Sequence, residues 1–149
     1  MIKSQTKLLL ICLVGVIALV AGCRSADPTS VQPPTGGQEF VLDEATFAMT
    51  VSPLLTSRGC DNIACHGGGL RGTFELSPAD DKNVAYDFLQ VARQVDPEQP
   101  SQSSLLMKPL APAAGGDVHT ADPEVSGFLT TDDPDYQAIL AWIEAGEYR

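Results

Sequence analysis

Residues 58–69 read RGCDNIACHGGG, with Cys60 and Cys65 five positions apart, His66 directly after the second cysteine, and three glycines, Gly67, Gly68 and Gly69, behind it. How this stretch is read decides the fold, because each chemistry open to it demands something different of the surrounding chain. A disulfide between Cys60 and Cys65 would only staple a short loop onto an existing core. Zinc needs four ligands held tetrahedrally. Beyond this stretch only His119 remains to complete such a set, and adjacent Cys65 and His66 make awkward co-ligands. A redox dithiol uses a C-x-x-C spacing, which is absent here. Covalent haem attachment needs two thiols for the porphyrin and an imidazole for its iron, and a cysteine followed at once by a histidine can deliver one thioether and the proximal ligand together.

The four residues between the cysteines set a geometric condition on that last reading. At about 100° per residue, helix positions i and i+3 lie roughly 60° apart, whereas i and i+5 lie roughly 140° apart. Residues 61–64 must therefore bulge if both sulfurs are to face one porphyrin. Asp61 and Asn62 are turn formers that tolerate such a bulge, and Gly67 to Gly69 leave the chain free of side-chain obstruction as it departs. The GGG run is not a nucleotide-binding loop, since no strand precedes it and no lysine follows in the required place.

The compartment determines which cysteine chemistry is available. Lys3 and Lys7 precede LLLICLVGVIALV, residues 8–20, an apolar run about as long as a signal-peptide core and shorter than the roughly 20 residues a spanning helix needs. Val20, Ala21, Gly22 and Cys23 resemble the lipobox of bacterial lipoproteins, which implies a signal peptide over residues 1–22 and diacylglycerol on the Cys23 sulfur. Several acyl chains on one cysteine anchor a protein far more durably than a single chain. Cleavage would remove Cys12 and leave Cys60 and Cys65 for other work. It would also remove two lysines and no acid, moving the net charge from −10 to −12. Nucleic acid is a poor partner for such a chain, and a redox protein with a basic docking surface is a better one.

Residues 24–39, RSADPTSVQPPTGGQE, have no apolar period and read as a flexible tether that begins at the lipidated Cys23. A single domain is expected over residues 40–149. Within it, Phe47, Val51, Leu54 and Leu55 fall on one helical face behind an Asp43 N-cap, with Pro53 kinking or restarting the helix. TFELSP, residues 73–78, reads as extended. A second helix is expected from about Asp81 to Arg93. Residues 96–129 contain five prolines and three glycines, so they read as loop with at most a helical turn around residues 103–107. The last helix begins with Asp133 as N-cap and Pro134 at the first position, carries Tyr136, Ile139, Leu140 and Ile143 on one face, and stops at Gly146. The expected class is all-α, with three or so helices and large loops. The aromatic content is low, so the core is small, and a buried cofactor would enlarge it.

From residue 47 to residue 146 the chain resembles the small c-type cytochrome domains of exported and lipoprotein-type proteins of planctomycetes and myxobacteria. The resemblance lies in V-x-P-L-L (residues 51–55), G-C-x4-C-H-G (59–67), F-x-L-S (74–77), V-D-P (95–97), S-L-L-x-K-P-L (104–110) and D-P-D-Y-x-x-I-L-x-W-I-x-x-G (133–146). It implies a cytochrome c fold wrapped round one haem c, with Cys60 and Cys65 as thioethers and His66 as proximal iron ligand. Such relatives place a histidine soon after the Lys-Pro-Leu segment and before a glycine pair, whereas here Gly115 and Gly116 precede His119. His119 is the favoured distal ligand, being in the long loop before the last helix. Met107 is the alternative, although SSLLMKPL also suits ordinary core packing. Phe47, Leu54, Leu55, Phe74, Leu105, Leu106 and Trp142 are the expected apolar wall.

The expectation is thus a lipid-anchored monohaem cytochrome relaying single electrons at the bacterial envelope, with redox proteins as partners and the membrane as support. Electron transfer rather than enzymatic turnover is expected, because a six-coordinate haem has no open position for a substrate; no Ser/His/Asp set, paired-carboxylate arrangement or phosphate loop can be defended as catalytic residues. Two other classes stay open on sequence: a five-coordinate haem sensor or peroxidase-like protein, and a disulfide-stabilised interaction lipoprotein without redox chemistry. The acidic pairs Asp80 with Asp81 and Asp132 with Asp133 read as helix starts and solvated surface.

Overall fold

The first helix shows how local sequence becomes architecture. In the computed structural model, which describes residues 37–68, 74–119 and 127–149, the Asp43 side chain accepts the Thr46 amide at 2.6 Å and starts helix α1, Glu44–Thr46. The chain then widens into a π-helical turn, Phe47–Val51, and tightens again as α2, Ser52–Ser57. Pro53 explains the widening. It has no N–H to offer an earlier carbonyl and its ring crowds the preceding turn, and the π turn absorbs the mismatch, with the Ser52 amide reaching back to the Phe47 carbonyl. The expected kink is therefore a π turn, and it leaves Phe47, Val51 and Leu55 buried on one side.

Helix α3, Val84–Ala92, starts later than Asp81 because the Asn83 side chain, not an aspartate, caps it by accepting the Tyr86 amide. Residues 74–78 form no strand. The proline-rich segment contains a 3-10 turn, Pro100–Gln102, the short helix α4, Ser104–Met107, and a second 3-10 turn, Pro112–Ala114. Helix α5, Pro134–Glu144, begins at the Asp133 N-cap, whose side chain accepts the Asp135 amide. Mostly helical structure accords with the all-α class.

One element departs from that class. Strands β1, Phe40–Val41, and β2, Glu147–Tyr148, pair antiparallel with Phe40 opposite Tyr148. Glu39 and Arg149 extend the ladder through two further backbone hydrogen bonds of 2.8 and 2.9 Å. Glu39, assigned above to the tether, thus belongs to the fold. Strands of two residues carry no readable alternation, so only tertiary pairing reveals this clasp. Gly146, expected as a helix stop, has a further role here: a Cβ at this position would overlap the Phe40 ring. The signal peptide, Cys23 and most of the tether lie outside the described residues.

The core lies where the π turn, α3, α4 and α5 meet. The ring of Phe47 stands 5.5 Å from Phe88 and 5.6 Å from Trp142, tying three elements together, and the Trp142 indole donates to the Asp43 carbonyl at 2.9 Å. Phe47, Leu55, Leu105, Leu106 and Trp142 are buried, whereas Leu54 and Phe74 pack partly buried against them.

A polar clamp joins the C-terminal end of α2 to the start of α5. Arg58 donates to Asp133 at 2.7 Å, to Asp135 at 2.7 Å and to the Gly127 carbonyl at 2.6 Å, and its guanidinium lies 5.1 Å from the centre of the Phe128 ring. Asp132 is exposed as expected, but Asp133 is half-buried in this clamp rather than solvated. Burial alone would raise the Asp133 pKa, yet the hydrogen bond from Arg58, the Asp135 amide and the guanidinium charge together hold it below the usual 3.8. Replacing Arg58 with Met should lower stability by about 1–3 kcal/mol near neutral pH, since charge-assisted hydrogen bonds are lost. A depressed carboxyl pKa contributes stability above about pH 4 that is lost on acidification through the folded-state pKa. Urea titrations of wild type and variant should therefore diverge at pH 7 and converge as the pH falls.

Candidate functional site

The stretch carrying both cysteines begins as the C-terminal cap of α2. Gly59 adopts φ +71°, a left-handed conformation that favours glycine, and its amide bonds to the Thr56 carbonyl while that of Cys60 bonds to Leu55, both at 2.9 Å. This pairing is a Schellman cap, and it turns Cys60 back toward the core. The next four residues wind round Asn62. Its side-chain oxygen accepts the Ala64 amide at 2.8 Å, and its carbonyl accepts Cys65 at 2.8 Å and Gly67 at 3.0 Å. The His66 amide then bonds to the Cys60 carbonyl at 3.0 Å and closes the loop. The bulge expected over residues 61–64 is present, with Asn62 as its hub.

Two positions in the loop do more than their sequence reading. Asp61 lies in a turn, as expected, and is also buried, with only 2 % of its surface exposed. Its carboxylate accepts the Thr56 hydroxyl at 2.6 Å and pairs with the Lys82 ammonium at 2.9 Å. Gly67 is required by close approach rather than by a porphyrin face, because a Cβ there would overlap the Asp61 carbonyl. Gly69 lies outside the described residues.

Cys60 and Cys65 carry free thiols, both half-buried. Burial, and after it the Asp61 charge, pushes the Cys60 thiol up to about 11, so it rests protonated near neutrality. His66 is held from two sides by residues 74–76. The Phe74 carbonyl stands 3.0 Å from Nδ1, and the Leu76 amide donates to the His66 carbonyl at 2.8 Å. A proton on Nδ1, donated to a carbonyl, leaves the Nε2 lone pair available to a metal and fixes the ring's orientation.

His119 faces His66. The ring centres are 6.1 Å apart and the planes differ by 20°. Several contacts bring the distal loop to this position. A parallel bridge between Leu110 and Phe128 closes its base. Gly115, at φ +93°, and Gly116, which packs where a Cβ would overlap the Leu110 carbonyl, turn the chain inside it. The Asp117 amide then bonds to the Met107 carbonyl at 2.8 Å, and Lys108 pairs with Asp117 at 2.8 Å. Met107 is half-buried and enters the arrangement through this carbonyl. Burial, with the charges of His66 and Lys108 behind it, holds the His119 imidazole below its usual 6.5, which favours the neutral, ligating form.

The ring separation tests whether an iron fits. Two metal–nitrogen bonds of about 2.0 Å each, plus roughly 1.1 Å from each nitrogen to its ring centre, would put the centres of two axial imidazoles about 6.2 Å apart. The 6.1 Å between the centres is of that length, and ligation further requires each Nε2 to point along the line that joins them. Among the described residues no three His, Cys, Asp or Glu side chains converge as a metal cluster.

Sequence reasoning missed Arg58, Lys82 and the Phe74 carbonyl as parts of this site. Lys82 follows two exposed aspartates and looks like surface, and a backbone acceptor leaves no trace in residue identity. Gly67→Ala should cost about 1–3 kcal/mol, as over-filling a packed site does, and the loss should appear in thermal unfolding. Set against protein-family models, curated proteins and solved structures, the chain matches none.

Proposed function

We propose that this chain is a lipid-anchored monohaem c-type cytochrome that transfers single electrons at the bacterial envelope, with Cys60 and Cys65 as haem thioethers, His66 as proximal ligand and His119 as distal ligand. The observation that carries the reading is a pair of near-parallel imidazoles with ring centres 6.1 Å apart, one of them on the same loop as two free thiols. When bound, haem supplies a one-electron couple whose potential follows the axial ligands, their hydrogen bonds and local burial.

The chain's own residues do the rest. The Phe74 carbonyl accepts from Nδ1 of His66, which fixes the ring's orientation and leaves Nε2 for the iron. Ligation by both histidines would leave no position for a gas or peroxide, so the reading favours electron transfer over sensing or peroxide chemistry. Leu105, Leu106 and Leu110, buried in α4 and just after it, shield the interior from water and limit the reorganisation that accompanies a change of charge. Lipid on Cys23 would hold the domain at the membrane, and a flexible chain of about 15 residues would span roughly 20 Å r.m.s.. That reach lets the domain meet neighbouring membrane proteins, and its negative charge favours partners with basic surfaces.

Coexpression with cytochrome maturation machinery tests the reading. The purified protein should gain one haem mass that denaturation does not release, and show a six-coordinate low-spin spectrum. Met107→Ala should keep that spectrum. His119→Ala should convert it to a high-spin or ligand-exchanged form. A colourless protein with Cys60 joined to Cys65 would overturn the proposal and leave the disulfide-stabilised module in its place.

A further inference from the structure

Behind the attachment loop lies a buried polar network that axial ligation does not require. Lys82 places its ammonium 2.9 Å from Asp61 and 2.7 Å from Asp87, and donates to the Ser77 carbonyl at 3.1 Å. Asp87, only 1 % exposed, also accepts the Ser77 amide at 2.6 Å and the Ser77 hydroxyl at 2.9 Å. Asp61 accepts from Thr56 as well. Every member is satisfied, and among the described residues no buried side-chain nitrogen or oxygen lacks a partner. One ammonium nevertheless serves two carboxylates.

This placement matters because of what the network holds. Asp61 directly follows Cys60, and Ser77 is the next residue after Leu76, whose amide is bonded to His66. The network thus grips the loop that carries both cysteines and His66, together with the strap that orients the His66 ring. Buried charges interact strongly with a nearby charge change because little water screens them. A carboxylate in excess beside the site favours the more positive, oxidised state of an iron held there.

We propose that Asp61 is a positioning and charge-setting residue of the haem site, locking the Cys60–His66 loop to Thr56 and Lys82 while holding the reduction potential of the iron down. The inference rests on the cytochrome reading above, and it adds a residue which that reading does not use. Asp61→Asn removes the charge, keeps a side-chain oxygen for the Thr56 hydroxyl, and leaves Lys82 paired with Asp87, so the fold has its means of survival. Lys82→Arg keeps the charge balance. Thr56→Val removes a hydrogen bond from Asp61 without changing any charge.

The test is a redox titration of each holoprotein, alongside intact mass for haem content, ferric low-spin EPR for imidazole orientation, and urea unfolding. Asp61→Asn should shift the midpoint potential upward with one haem still attached, and Lys82→Arg should stay close to wild type. Thr56→Val should lower the unfolding midpoint but leave the potential in place, which separates charge from stability. A haem-loaded Asp61→Asn protein with an unmoved potential would overturn this inference alone. So would an equal shift in Thr56→Val, since the effect would then follow packing. A wild-type protein that acquires no haem would overturn the inference and the cytochrome reading together.

Discussion

Two sulfurs five positions apart cannot face the same way from a regular helix, and the stretch from Cys60 to His66 is a wound loop, not a helix. The chain leaves α2 through a Schellman cap at Gly59, winds round Asn62 and returns so that the His66 amide meets the Cys60 carbonyl. Such a loop has few apolar contacts of its own, and Ile63 at its tip is 77 % exposed. Its shape therefore depends on polar contacts from outside: Thr56 and Lys82 on Asp61, residues 74–76 on His66, and Arg58 on the start of α5.

The distal side is built on a different principle. His119 sits on a loop whose base is closed by backbone pairing between Leu110 and Phe128, and whose turns use two glycines. Its ion pair among the described residues, Lys108 with Asp117, is about half exposed on both sides, and pairs of that kind contribute little. The proximal half is thus held by buried charges and the distal half by backbone geometry. Haem ligation to both halves would couple them, and the binding free energy of the cofactor would then become part of the stability of the fold, as it does for structural metals.

The small apolar core is consistent with this dependence. Phe47, Phe88 and Trp142 form its aromatic centre, and the two-residue strands clasp the chain ends beside it.

The order of residues by itself determined the helices that bear strong local signals. Asp43 and Asp133 cap helices because a carboxylate before an apolar period meets free amides, and the periods of Phe47, Val51 and Leu55 and of Tyr136, Ile139 and Ile143 name the buried faces. The cysteine and histidine spacing also singled out the loop over residues 60–66 and showed that it could not be a regular helix turn with both sulfurs on one side. Only tertiary structure decided which residues hold that loop in place. Asp61 became a buried ion-pair member, Lys82 a shared counter-ion and Gly67 a close-packing glycine through contacts with groups distant in sequence, and the Phe74 carbonyl and the β1–β2 clasp act through the backbone, whose partners no residue identity encodes. The facing of His66 and His119, 53 positions apart in the chain, belongs to the same class. A ligand type can be read from a letter, but a ligand distance is set by the whole path of the chain between the two rings.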